Sequence, residues 1–190
     1  MFSPLLDAAA ELAAQWHDGT YRKGRWRPIF PGLDGRIPLV AHVSAVALAV
    51  ARAGFDDATV AAALLHDALE DPHASGLRLD PAALEAATNA RVRALVEAVT
   101  EPKLGPDGQP MRWQDRKDAY LRTLAAGLDV FQSEPGRIGL SAGPAQQRWY
   151  VDAVLAATEH HDDPRLDGLR AAVRAELARF ERLTGLHRED

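Results

Sequence analysis

Apolar residues recur along the chain at intervals of three and four residues, which is the spacing of helices. They do not recur at every second position, as they would in strands. Ser3 and Pro4 form an N-cap and first-turn pair, and apolar residues then recur at helical intervals as far as Trp16. This pattern predicts a first helix that begins at Pro4 and ends near Gly19. Because one side of it is apolar, the helix is expected to pack on a core.

The most apolar segment of the chain covers residues 38–53, from Pro38 to the residue before Gly54. Apolar residues occupy nearly every side of the helix that this segment predicts. We therefore expect it to lie at the centre of a helical bundle. His42 is one of few polar residues in its first turns, and it fits either a satisfied core histidine or a metal ligand.

A third helix is expected to begin after Asp56 or Asp57 and to run to Pro72. In its last turns an imidazole and several carboxylates share one face, opposite an apolar face: His66, Asp67, Glu70 and Asp71. Like charges at this spacing repel each other, and the helix dipole disfavours anions at a C-terminus. A bound cation would relieve both penalties, whereas the alternative is a solvated acidic helix end.

Five further helices are predicted by the same signals, over residues 80–88, 89–100, 113–126, 144–160 and 163–184. Residues 101–112 and 127–143 have loop composition. The chain is therefore expected to form an all-α bundle of about seven or eight helices, in a single domain over residues 1–190.

Composition narrows the chemistry that such a bundle can perform. The chain has no cysteine, so any metal site must use His, Asp or Glu. Its net charge of −5 argues against general affinity for nucleic acid. No segment has the length and continuous apolar character of a membrane span or a secretion signal, so a cytoplasmic protein without membrane partners is expected.

The segment between the first two helices, residues 20–38, is expected to be a loop because it is rich in glycine and proline. Its first half carries a basic patch that includes Arg22 and Lys23 and suits a phosphorylated small molecule. Tyr21 and Trp26 are interleaved with these cations, and they fit either stacking on a base or ordinary packing.

These motifs, in this order, resemble the HD-domain phosphohydrolases. The chain reads HDGTYRKG from His17, then has His42 in a buried helix, and then reads ALLHDALED around His66. Within the family it is similar to the hydrolase domains of the RelA/SpoT group and to the small alarmone hydrolases. Weaker likeness continues through LVEAVTE, WQDRKDAYL and QQRWY, so that it covers roughly residues 5–160.

The resemblance implies a role for each matched residue. His42, His66 and Asp67 correspond to three of four metal ligands, the metal usually being Mn²⁺. The acidic pair that handles the attacking water corresponds to Glu70 and Asp71. The residues that hold the nucleotide and its phosphates correspond to Arg22 and Lys23. Independently, ligation by His and carboxylate without sulfur suits Mn²⁺, Fe²⁺, Co²⁺ or Zn²⁺, and such a centre is well suited to phosphate ester hydrolysis.

The sequence departs from the family at the fourth ligand. The family's Asp lies in a helix that reads like A-D-K-L-x-N, and no such motif follows Arg116 and Lys117 here. Asp129 is the nearest carboxylate, but it comes about nine residues too early to match. Three protein ligands would still bind a metal, with more open positions.

Three functions remain open on this basis. The first is hydrolysis of the 3′-pyrophosphate of guanosine tetra- or pentaphosphate. The second is hydrolysis of another nucleotide or small phosphate ester. The third is a degenerate HD domain that binds a nucleotide without hydrolysing it. The expected partner is a small-molecule nucleotide substrate, and an oligomer is possible. A shared metal requires the His42 and His66 imidazoles to lie within about 6 Å of each other.

Overall fold

The computed structural model describes residues 3–26, 36–125 and 143–184. Within them the chain forms eight helices and two short strands: α1 (Pro4–Trp16), β1 (Tyr21–Trp26), β2 (Arg36–Pro38), α2 (Leu39–Arg52), α3 (Asp57–Leu65), α4 (Pro81–Ala87), α5 (Ala90–Val99), α6 (Trp113–Ala125), α7 (Pro144–Thr158) and α8 (Pro164–Thr184). The prediction of an all-α fold is confirmed. None of these helices combines the length and apolar character needed to cross a bilayer.

The helix starts are fixed by side chains that accept hydrogen bonds from otherwise unpaired backbone N–H groups. The capping residues are Ser3 for α1, Asp56 for α3, Asp80 for α4 and Asn89 for α5. Helix α2 ends at Arg52, and Gly54 follows it with a φ of 86°. Only glycine adopts this left-handed conformation readily, so the chain can turn back sharply into α3.

The segment predicted as a loop contains the two strands, which pair antiparallel with an irregular register between Tyr21 and Trp26. The prediction of a loop over residues 20–38 is therefore wrong at both ends of that segment. Its prolines before Pro38, and all its glycines but one, lie in residues 27–35, between the strands. The six residues of β1 include two aromatic side chains, which favour extended backbone.

The chain divides into two compact units, Met1–Thr100 and Glu101–Asp190. In the first unit, α3 packs against α1, α2 and α5. Residues from nearly every side of α3 are buried, including Ala61, Ala62 and Leu65. Alanine side chains let the neighbouring helices approach α3 closely, which suits a helix surrounded by others.

Our expectation that the helix of residues 38–53 lies at the centre is wrong, because α3 has that place. Helix α2 buries one face, with Val43 and Val46, and leaves Leu48 52 % exposed on the other. An apolar surface does not require a packing partner, since folded proteins expose much apolar area. The apolar pattern of α2 therefore predicted that the segment is a helix, but not where the helix lies in the fold.

In the second unit, α7 packs against α6 and α8. The Glu101 carboxylate lies 2.7 Å from Lys117 Nζ and 3.4 Å from the guanidinium of Arg116. The same ammonium lies 4.4 Å from the ring centroid of Tyr150 on α7. These contacts link the segment after α5, helix α6 and helix α7, so the basic pair after Trp113 contributes to the packing of this unit.

The position of α3 predicts unequal costs for two leucine truncations. Leu65→Ala removes a fully buried side chain from the centre of the first unit and should lower the free energy of unfolding by ~2–5 kcal/mol. Leu48→Ala, on the exposed face of α2, should change it by less than about 0.5 kcal/mol. Guanidinium unfolding followed by circular dichroism measures both, and equal losses would contradict the central position of α3.

Candidate metal centre

The connection between α2 and α3 brings His42 and His66 to the same level of the fold. Helix α2 ends at Arg52 and α3 begins at Asp57, so the two helices form a short helical hairpin. His42 lies ten residues before the end of α2, and His66 lies nine residues after the start of α3. At about 1.5 Å per residue, both histidines lie roughly 14–15 Å from the turn. The two side chains therefore meet across the hairpin.

The third helix ends earlier than predicted. Helix α3 stops at Leu65, and residues 66–70 form hydrogen-bonded turns instead of continuing to Pro72. Ala68 N–H donates to Leu65 O at 2.9 Å, a bond one residue shorter than in an α-helix. Glu70 N–H and Asp71 N–H both donate to Asp67 O, at 3.2 and 2.9 Å, so the three carboxylates share one turn beyond the helix.

The first residue after α3 is held in one orientation by its own backbone. His66 is 1 % exposed, and its Nδ1 lies 2.8 Å from Ala63 O. A carbonyl oxygen only accepts hydrogen bonds, so Nδ1 carries the ring proton and Nε2 of the neutral ring carries a lone pair. The lone pair is thereby available to bind a metal, in the arrangement that second-shell contacts commonly impose on histidine ligands.

The structure brings three of the predicted ligands together. One ligand atom from each of His42, His66 and Asp67 lies within 4.8 Å of the other two. His66 Nε2 is 3.2 Å from Asp67 Oδ1, and His42 Nε2 is 3.8 Å from Asp67 Oδ2. The His42 and His66 ring centroids are 5.2 Å apart. Within the described residues this is the one such group of three or more potential ligands.

The donor set fits a divalent metal ion. The lone pair of His66 Nε2 faces a carboxylate oxygen at 3.2 Å, and two acceptors at this distance repel each other unless a proton or cation lies between them. Both histidines are buried, so water can provide few hydrogen bonds to their ring nitrogens. Two imidazoles and one carboxylate suit the first-row divalent metals, and a three-residue set leaves positions for water or substrate.

The two acidic residues expected to handle water lie just beyond this cluster. Glu70 and Asp71 are half-buried, and their carboxylates are outside the group formed by His42, His66 and Asp67. Trp16 Nε1 donates a hydrogen bond to Asp71 O at 2.9 Å, which ties this turn to the end of α1. The backbone that carries both carboxylates is thus fixed by a contact 55 positions away in sequence.

The basic residues expected to bind phosphate lie on β1. Arg22 is half-buried there, whereas the side chain of Lys23 lies outside the described part of the chain. The Arg36 guanidinium lies 4.2 Å from the ring centroid of Tyr21. One face of this aromatic ring is therefore already occupied by a cation. Leu39 N–H donates to Thr20 O at 3.0 Å, which joins the start of β1 to the helix that carries His42.

One buried histidine was not assigned a role by the sequence. His17 follows α1 and is 2 % exposed. Burial lowers its pKa, and the carboxylates of Asp67 and Asp71 act in the opposite direction. The only sequence signal for this residue was its position at the head of the HDGTYRKG motif. Asp129, the weak candidate for a fourth ligand, lies outside the described residues.

Comparison with known proteins agrees with the fold and with this cluster. The profile of a family described as an HD domain matches residues 9–126, well over half of the chain. The chain belongs to the HD-domain family. Together with the His-His-Asp cluster, this membership makes it a metal-dependent phosphohydrolase.

Two solved structures share the fold of this HD protein. One is described as a metazoan ortholog of SpoT that hydrolyzes ppGpp and plays a role in starvation responses; it aligns over 98 % of this chain and 99 % of its own, with a TM-score of 0.65 and 20 % identity. The other, lmo0812 from Listeria monocytogenes EGD-e, aligns over 75 % of this chain and 97 % of its own, with a TM-score of 0.57 and 21 % identity. No curated protein matches by sequence.

Proposed function

We propose that this HD protein hydrolyses guanosine tetra- or pentaphosphate at the 3′ position. Water replaces the ribose 3′ oxygen at phosphorus, so that pyrophosphate leaves and the ribose recovers a 3′-hydroxyl. The observation that carries the proposal is the convergence of His42, His66 and Asp67 in a fold shared with a protein described as hydrolysing ppGpp. The RK pair at Arg22 and Lys23 supports the choice of a nucleotide polyphosphate.

In this proposal His42, His66 and Asp67 hold one divalent ion, most suitably Mn²⁺. When bound, the ion acts as a Lewis acid and offsets negative charge on the phosphoryl oxygens. The Nδ1 hydrogen bond to Ala63 O keeps His66 in the tautomer that ligation needs. The burial of both histidines limits competing water at the protein side of the site.

Glu70 and Asp71 are proposed to orient the attacking water and to accept its proton. They follow Asp67 by one turn, and their carboxylates are proposed to flank the centre without belonging to the ligand group. Arg22 and Lys23 are proposed to hold the substrate phosphates. Several substrate charges approach a turn that already carries three carboxylates, so fixed cations on the facing wall are needed to offset the repulsion.

A second function is favoured by one feature of the sequence. The A-D-K-L-x-N motif is absent, and among the described residues three ligands converge. A chain with a weakened centre would bind the nucleotide and would not hydrolyse it. Localisation in the cytoplasm, where a nucleotide substrate is available, is part of both proposals.

The test is pyrophosphate release from guanosine tetraphosphate in the presence of Mn²⁺. The wild-type chain should release it, and chains carrying His66→Ala or Asp67→Ala should not, because each lacks a ligand. Turnover no greater than that of these variants would overturn the hydrolytic proposal. Tight nucleotide binding in the same preparation, measured by calorimetry, would then establish the non-hydrolytic function.

The acidic residues should divide into two classes. Asp67→Ala should lose Mn²⁺, whereas Glu70→Gln should retain Mn²⁺ and lose turnover by a factor of ~10² to 10⁴, the typical effect of removing a proton acceptor. Metal content after desalting and the initial rate at saturating substrate measure the two properties separately. Loss of Mn²⁺ from Glu70→Gln would show that Glu70 is itself a ligand.

Arg22→Ala should raise KM for the nucleotide polyphosphate and leave the bound Mn²⁺ unchanged. Guanidinium binds phosphate oxygens through two parallel hydrogen bonds, and a simple ester offers fewer of these contacts. The rise in KM should therefore be much smaller for p-nitrophenyl phosphate than for guanosine tetraphosphate. An equal loss on the two substrates would assign Arg22 a structural role instead.

A further inference from the structure

The imidazole of His17 is buried without a hydrogen-bond partner among the described residues. Neither its Nδ1 nor its Nε2 has a partner there, although the side chain is only 2 % exposed. A neutral imidazole has one donor and one acceptor, and buried polar atoms of native proteins are almost always satisfied. The ring nitrogens of His17 therefore still require a hydrogen-bonding partner, which an apolar side chain at this position would not.

The residues on either side of His17 contact the segment that follows the metal cluster. Trp16 donates to Asp71 O at 2.9 Å, and its indole ring lies 5.8 Å from the ring of His73. Gly19 adopts a φ of 68°, and a Cβ at this position would lie 3.3 Å from Ala74 Cβ. The turn around His17 is thus packed on residues 71–74, which follow the metal cluster in sequence.

The electrostatic surroundings of His17 agree with this placement. Four ionisable groups act on its imidazole, and all of them belong to the metal cluster or to the turn after it: Asp67, Asp71, His66 and His42. Of these four groups, Asp67 has the largest effect on the pKa of His17. His17 is not itself in the group of ligand atoms that lie within 4.8 Å of one another.

We infer that His17 is a positioning residue of the metal centre, whose ring N–H hydrogen-bonds to the Asp67 carboxylate through one water molecule. The inference rests on the proposed function, since it requires that Asp67 binds a metal. Carboxylate ligands are commonly held by such outer hydrogen bonds, which fix their orientation and raise metal affinity. His17 would do so from α1, whereas the ligands themselves come from the α2–α3 hairpin.

The test is direct titration of the purified chain with Mn²⁺ by calorimetry. His17→Phe keeps an aromatic ring and removes both nitrogens, so Mn²⁺ should bind ~10- to 100-fold more weakly than in the wild type. His73→Phe is the matched control, because it removes an imidazole from the same region and keeps an aromatic ring beside Trp16. This control should bind Mn²⁺ with the wild-type Kd.

A rescue variant separates positioning from packing. His17→Gln restores a donor and an acceptor in the same cavity, and it should recover part of the lost affinity. Unfolding midpoints measured in EDTA show whether each variant folds. If folded His17→Phe binds Mn²⁺ as tightly as the wild type, the inference is overturned while the proposed metal function stands. If the wild type binds none of Mn²⁺, Co²⁺ and Zn²⁺, the inference and the proposed metal function are both overturned.

A measurement on the wild type covers the case in which His17→Phe does not fold. In ¹⁵N-histidine-labelled protein, Zn²⁺ should shift the ring nitrogen resonances of His17, assigned from their absence in His17→Gln. It should also slow exchange of the ring proton, because that proton then bonds to an oriented water molecule. Unchanged His17 resonances under saturating Zn²⁺ would overturn the inference.

Discussion

The hydrogen bond from His66 to Ala63 O is the interaction on which the candidate centre depends. It uses a carbonyl of the last turn of α3 to fix the ring that follows the helix, at 2.8 Å and out of contact with solvent. The same bond decides which nitrogen is free, and that nitrogen faces Asp67. His66 keeps helical backbone angles after Leu65, and the adjacent Asp67 contributes to the same site.

The second requirement is the position of α3 within the first unit. Because α3 packs against α1, α2 and α5, its C-terminal end is surrounded by elements that differ widely in sequence position. Helix α2 brings His42, and the end of α1 brings Trp16 and His17. The alanines of α3 allow this close approach, since larger side chains would hold the neighbouring helices farther from the end that carries the HD pair.

The polar groups of the metal cluster lie at positions where their burial makes folding less favourable. Two buried histidines and a carboxylate at short range stabilise the fold less than apolar residues of the same volume would. A bound ion changes this balance, because any ligand that binds only the folded state stabilises it, by about 2.7 kcal/mol at a hundred times its Kd. Metal binding and folding are therefore coupled in the proposed function, and the local arrangement is favourable when the ion is present.

The sequence by itself determined the helices, the N-caps of four of them and the three residues that form the metal cluster. Ser3, Asp56, Asp80 and Asn89 cap helices because their side chains reach local N–H groups, an effect that depends on neighbours in sequence. The HD pair and His42 were recognisable as potential metal ligands from their residue types and their spacing along the chain. These features are local or belong to short motifs, and one sequence is enough to read them.

Tertiary structure decided which helix is central, where α3 ends and what surrounds His17. The apolar surface of α2 left open whether a neighbour would cover it, and the fold leaves Leu48 exposed. Beyond the end of α3 at Leu65, the turn that carries Asp71 is held by Trp16, which is 55 positions away in sequence. Burial of His17 likewise comes from packing between distant segments, because a residue's access to water is set by its neighbours in space and not by its neighbours along the chain.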